Sequence, residues 1–81
     1  MPRRRNERPD WVRAGQITLG HRIAELRISA GLTQEDLADR MGVERRTVQR
    51  YEAAVTDPRY GDLLLIARAL RVHVSDLLGG G

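Results

Sequence analysis

Apolar side chains recur along this chain every three or four residues, the period of an α-helix with one face turned inward. Leu19, Ile23, Leu26 and Ala30 fall on one side of a predicted helix covering Leu19 to Ala30, with Thr18 placed to cap it. Leu37, Ala38 and Met41 mark a second helix beginning near Gln34. Val48 and Tyr51 mark a third, from about Glu44 or Arg45 to Ala53. A fourth runs from about Tyr60 to Leu70 with Leu63, Ile66, Ala67 and Leu70 inward, Leu64 flanking that face and partly buried, and Leu65 pointing away. Val72, Val74, Leu77 and Leu78 give a short fifth helix from about Val74 that closes the base of the core. The pattern is all-α, five short helices and no strand.

Punctuation sharpens the middle of this series. Gly31 closes the first helix, and Thr33 with Asp36 three residues on forms a capping-box-like start for the second. Gly42 can take the left-handed conformation that stops it after about two turns, and Val43 packs under the turn. Two short helices around one sharp turn make a helix-turn-helix. With Val48 and Tyr51 inward, Arg46 and Arg50 project from the opposite side, with Gln49 and Ala53 at its edge and Arg45 on the exposed first turn. Arginine suits guanine because its planar fork donates two parallel hydrogen bonds to O6 and N7 in the major groove, and glutamine pairs similarly with adenine. A solvated charged face is the bland alternative; this density of arginine favours DNA.

Composition narrows what such a helix pair can belong to. Eighty-one residues make one small domain with loose ends, held by packing alone because there is no cysteine. His21 and His73 are too far apart for the usual zinc-ligand spacings. Fourteen basic residues, all arginine, against eleven acidic ones give a net charge of +3, which fits a polyanionic partner. Residues 1–17 read as a flexible basic arm with Arg3, Arg4, Arg5 and Arg8 as candidate contacts along phosphates or in the minor groove, the alternative being a merely soluble tail. Trp11, the sole tryptophan, is expected to fold back onto the domain or onto a second subunit. Residues 18–78 form the domain, and 79–81 are a frayed end. With neither a membrane span nor a signal peptide, the expected location is cytoplasmic.

Across roughly residues 18–78 the chain closely resembles the Cro and phage-repressor class of helix-turn-helix proteins, the XRE family. The likeness rests on Gly20-His21-Arg22-Ile23, Leu26-Arg27, Gly31-Leu32-Thr33-Gln34-Glu35-Asp36-Leu37-Ala38, Gly42-Val43, Val48, Tyr51-Glu52, Pro58, Leu63-Leu64 and Ile66-Ala67-Arg68-Ala69-Leu70. It implies a bacterial or phage protein with a compact five-helix, lambda-repressor-like domain whose third helix enters the major groove. Arg45, Arg46 and Arg50 would read bases there, with Gln49 beside them. By the same resemblance Gln34 contacts a phosphate and braces the recognition helix, Thr33 and Arg40 are further phosphate candidates, and Arg27 with Glu52 is an ion pair tying the first helix to the third. Two positions depart from the pattern. Glu44 stands where many members carry a small capping residue and would either repel phosphate or read a cytosine amine; Ala54 stands where many carry glycine, so the following loop is expected either to strain or to take another path.

The function expected from all this is sequence-specific binding of double-stranded DNA by a transcriptional regulator, most simply a repressor, acting as a homodimer on a palindromic operator. Ile28, Leu65, Leu77 and Leu78 are the candidate dimer positions. The alternative is an antitoxin-like or adaptor module whose main ligand is a protein. An enzyme is not expected, since no nucleophile with a nearby base, carboxylate pair in an evident pocket or glycine-rich phosphate loop occurs. No cofactor, membrane partner or small-molecule ligand is expected.

Overall fold

The computed structural model describes residues 8–79, which form five helices and no strand: α1 Asp10–Ser29, α2 Gln34–Met41, α3 Arg45–Glu52, α4 Tyr60–Leu70 and α5 Val74–Leu77. Arg3, Arg4 and Arg5 of the expected arm, and Gly80 and Gly81 of the tail, lie outside the described residues. The caps read from the sequence around α2 are in place. The Thr33 hydroxyl accepts from the Asp36 N–H at 3.0 Å while the Asp36 carboxylate accepts from the Thr33 N–H at 2.9 Å, and Gly31 and Gly42 both take φ of +74°. Asp62 and Asp76 repeat half of this device, accepting from the N–H groups of Arg59 and His73 to start α4 and α5.

The core lies where α1, α2, α3, α4 and α5 converge. Ile23, Leu37, Val48, Ile66 and Leu77 are its largest fully buried side chains, one from each helix, and each contributes roughly 1.5–3 kcal/mol by leaving water. Helix α2 packs on α3 and α4, α1 on α3, α4 and α5, and α4 on α5. Arg22 donates from Nε to the Asp76 carbonyl at 2.9 Å, fastening α1 to α5.

Several positions differ from the sequence expectation. Helix α1 starts at Asp10, so residues 10–17 of the supposed arm are helical and Thr18 sits inside the helix rather than capping it. The reason is the start signal at Pro9-Asp10: Pro9 holds φ −58° and ψ 151° just outside the helix, and the Asp10 carboxylate faces the positive end of the peptide dipoles. This first half shows little apolar periodicity because it is fastened by polar groups. Arg13 donates to the Ala54 carbonyl, Gln16 donates to Asp57 at 2.8 Å, and Arg8 lies 3.6 Å from Asp57. Ala30 is exposed beyond the helix end, and Leu64, expected to be partly covered, is exposed like Leu65. Of the two C-terminal dimer candidates, Leu77 is almost wholly buried in the core, whereas Leu78 beside it is exposed. Trp11 does not fold back onto the domain; it is 76% exposed.

Candidate nucleic-acid interface

Helix α3 is short and divided by side. Val48 and Tyr51 are buried, while Arg45, Arg46, Gln49 and Arg50 are all exposed. The exposed four form two adjacent rows, Arg45 with Gln49 and Arg46 with Arg50, each pair one helical turn apart. Among the described residues none of their side chains donates a hydrogen bond or joins an ion pair, so those donors are open to a ligand. Glu44 occupies the position before the helix with an extended backbone and no capping bond from its side chain. Burial, and after it the nearby Asp62 carboxylate, pushes the Tyr51 phenol above its ordinary range, which keeps the inward anchor of α3 neutral.

The helix is locked from behind by one carboxylate. Arg27 of α1 grips Glu52 with two bonds, Nε to Oε2 at 2.7 Å and Nη2 to Oε1 at 3.0 Å, and its remaining Nη1 donates to the Leu32 carbonyl at 2.8 Å. Gln34 at the start of α2 donates to the same Glu52 at 3.0 Å. The side chains of Arg27 and Glu52 are only 13% and 8% exposed. The hydrogen bond to Glu52 raises the Arg27 pKa above its usual value against the opposing effect of burial, so the cation persists. Three helices thus meet on one side chain.

Gln34 keeps its second amide N–H after these bonds, and it borders a shallow groove with Thr33, Arg27, Leu32, Glu35 and Arg45. Thr33, Gln34 and Arg45 of α3 therefore share one region of the surface. Arg40 does not join them. Its Nη1 donates to the Ala69 carbonyl at 3.0 Å, placing it at the other end of α2 against the last turn of α4. Arg8 is described but lies beside Asp57, at the loop after α3.

Sequence reasoning missed the contacts of Arg13, Gln16 and Arg22. Their partners are backbone carbonyls or a loop carboxylate 41 to 54 residues away, and no local pattern announces such pairs. Ala54 does hold φ of +57°, the left-handed geometry usual for glycine, so the loop keeps that path and bears the strain.

Comparison with known proteins agrees with this geometry. A helix-turn-helix family model matches residues 23–77. An uncharacterised HTH-type transcriptional regulator of Rickettsia prowazekii is 38% identical over 62 residues, covering 76% of this chain and 48% of that protein. The HTH-type transcriptional regulator ImmR of Bacillus subtilis is 32% identical over 63 residues, 78% of this chain and 50% of its own length. The chain thus spans about half the length of these curated relatives. Among solved structures, the restriction-modification controller protein C.AhdI from Aeromonas hydrophila superposes with a TM-score of 0.77 at 33% identity, covering 79% of this chain and 97% of that one. Both the match over residues 23–77 and the shared five-helix architecture place the chain in the Cro and phage-repressor, or XRE, family of helix-turn-helix proteins.

Proposed function

We propose that the chain binds double-stranded DNA in a sequence-specific manner as a transcriptional regulator, acting as a repressor that occupies an operator. The observation that carries this reading is the exposed, unpartnered row of Arg45, Arg46, Gln49 and Arg50 on a helix whose back is fixed by Glu52 to both Arg27 and Gln34. A preset helix with free forked donors can enter the major groove without reorganising, and each bidentate arginine–guanine pair is worth about 1–3 kcal/mol of discrimination. Thr33 and Gln34 supply the phosphate contacts that set its register. Arg40 is taken up by Ala69 and is not assigned to that set. Arg3, Arg4, Arg5 and Arg8 extend the contact along the backbone as a basic arm. Two copies bind as a homodimer on a palindromic site, in the cytoplasm and without catalysis.

Selection of bound sequences from a random duplex pool tests the reading. It should return one palindromic motif, with affinity for it falling steeply as salt rises because phosphate contacts release counterions. Equal recovery of all sequences would refute sequence-specific recognition.

A further inference from the structure

Helix α1 carries a second surface that the DNA reading does not use. Its first half presents Trp11, 76% exposed, and one turn on from it Gly15, which has no side chain. Between them and the end of α5 runs a groove of about 410 Å³, walled by Val12, Leu19, Leu77 and Leu78. Helical side chains lean toward the N-terminus, so the indole tilts away from Gly15 and leaves a notch there.

Gly15 has no explanation within the protomer. A Cβ added to it would meet nothing within 4 Å, whereas one added to Gly20 on the same helix would collide with the backbone of α3. Glycine is the poorest helix former after proline, and Gly15, unlike the equally uncrowded Gly61 of α4, lies beside an exposed tryptophan and an apolar groove, where its missing side chain permits close approach by something outside the protomer. The extension is also held firmly in place by Arg13 on the Ala54 carbonyl and Gln16 on Asp57.

We infer that the Trp11–Gly15 face of α1 is the homodimer interface, with Trp11 of each copy seated in the Gly15 groove of the other. A projection and its recess on one face are what a two-fold interface requires, because each copy then supplies both halves. Charge agrees with a second copy. The groove is lined by Asp57, with Arg8 3.6 Å from its carboxylate, both signs together, while the Arg45, Arg46 and Arg50 face would repel its like. Area agrees too: at 76% exposure Trp11 offers about 190 Å² per copy, roughly a quarter of the ~800 Å² each partner gives to a standard interface. Leu78, 59% exposed, adjoins it across the groove. The inference deepens the homodimer reading above and stands apart from DNA recognition.

The test uses the full chain without DNA, so that its failure leaves the DNA reading untouched. Sedimentation equilibrium over a concentration series should show monomer passing to dimer, and the emission of the single tryptophan should shift to the blue along the same curve. Gly15→Leu, whose added Cβ meets nothing in the protomer and which favours the helix, should raise the dimer dissociation constant at least tenfold. Trp11→Ala should do the same, whereas Ile28→Asp and Leu65→Asp should not. A monomer at all concentrations would overturn the proposal. So would a dimer that survives both Gly15→Leu and Trp11→Ala, or one in which Trp11 keeps the emission of an indole in water.

Discussion

A Cβ placed on Gly20 would lie 2.5 Å from the carbonyl oxygen of Glu52, and 2.8 Å from that of Tyr51. Helix α1 therefore crosses the last turn of α3 at backbone contact, and this crossing sets the tilt at which α3 presents its arginines. Gly20→Ala should destabilise the protein by about 1–3 kcal/mol or more, although alanine is the better helix former, because a backbone carbonyl cannot swing aside like a side chain. Gly61→Ala in α4, where an added Cβ meets nothing, should instead stabilise by about 0.5–1 kcal/mol. Thermal unfolding of the two variants separates crowding from helix propensity.

Arg27→Ala should be more damaging than its partial exposure suggests. Removing the cation leaves the Glu52 carboxylate with only Gln34 in a site that is 8% exposed, at a cost of about 3–5 kcal/mol. For a domain of this size that corresponds to a melting temperature lower by more than about 12 °C. Affinity for the selected duplex should fall with it, since α3 loses its anchor. Replacing both partners by apolar residues, Arg27→Met with Glu52→Leu, should recover most of the stability, because no unpaired charge is then buried. If the double variant melts as low as Arg27→Ala, the stranded charge is not the cause.

How readily the chain could be read depended on the range of the forces involved. Thr33 with Asp36, Gly31 and Gly42 act within four residues of themselves, so α2 and its turn were legible from local chemistry. The inward faces of α3 and α4 were legible from Val48, Tyr51, Leu63, Ile66, Ala67 and Leu70, all buried as their spacing required. The ion pair of Arg27 with Glu52 came only through family resemblance, since nothing local links positions 25 apart. The first half of α1 has the sequence of an arm because Arg13 and Gln16 bond to a loop 41 residues away and the segment buries almost nothing apolar. The bond of Arg40 to the Ala69 carbonyl is hidden from the sequence for a similar reason, since it depends on how α2 lies on α4.

Among the described residues two other than glycine hold positive φ, Ala54 at +57° and Arg71 at +58°, and they should respond differently to glycine. Each bears about 1–2 kcal/mol of left-handed strain. Arg71 closes α4 with an exposed side chain, so Arg71→Gly should raise stability by about 0.5–1 kcal/mol with little else lost. Ala54 is buried at 8% exposure, and losing its methyl forfeits about 0.8 kcal/mol of burial, so Ala54→Gly should be close to neutral. Chemical denaturation gives both values. A larger gain at Ala54 than at Arg71 would contradict the assignment of strain and burial.

Asp36 gives the helix-turn-helix an acid-sensitive start. Its carboxyl is held below the ordinary range first by the backbone N–H of Thr33, then by the Thr33 side chain, with the Arg40 charge adding to both against slight desolvation. A group whose folded pKa is depressed binds fewer protons folded than unfolded, so its contribution is fully present above the unfolded value of about 3.9 and disappears as pH falls through the lower folded value. Asp36→Ala removes both the capping bond and this titration. The gap in melting temperature between the native chain and Asp36→Ala should therefore be constant from neutral pH down to about 5, then narrow progressively below about 4. Comparing the two chains at each pH cancels the general acid destabilisation that all other carboxylates cause. A gap of unchanged size at pH ~2.5 would mean that the uncharged side chain caps α2 as well as the carboxylate does, and that charge at this helix start contributes nothing.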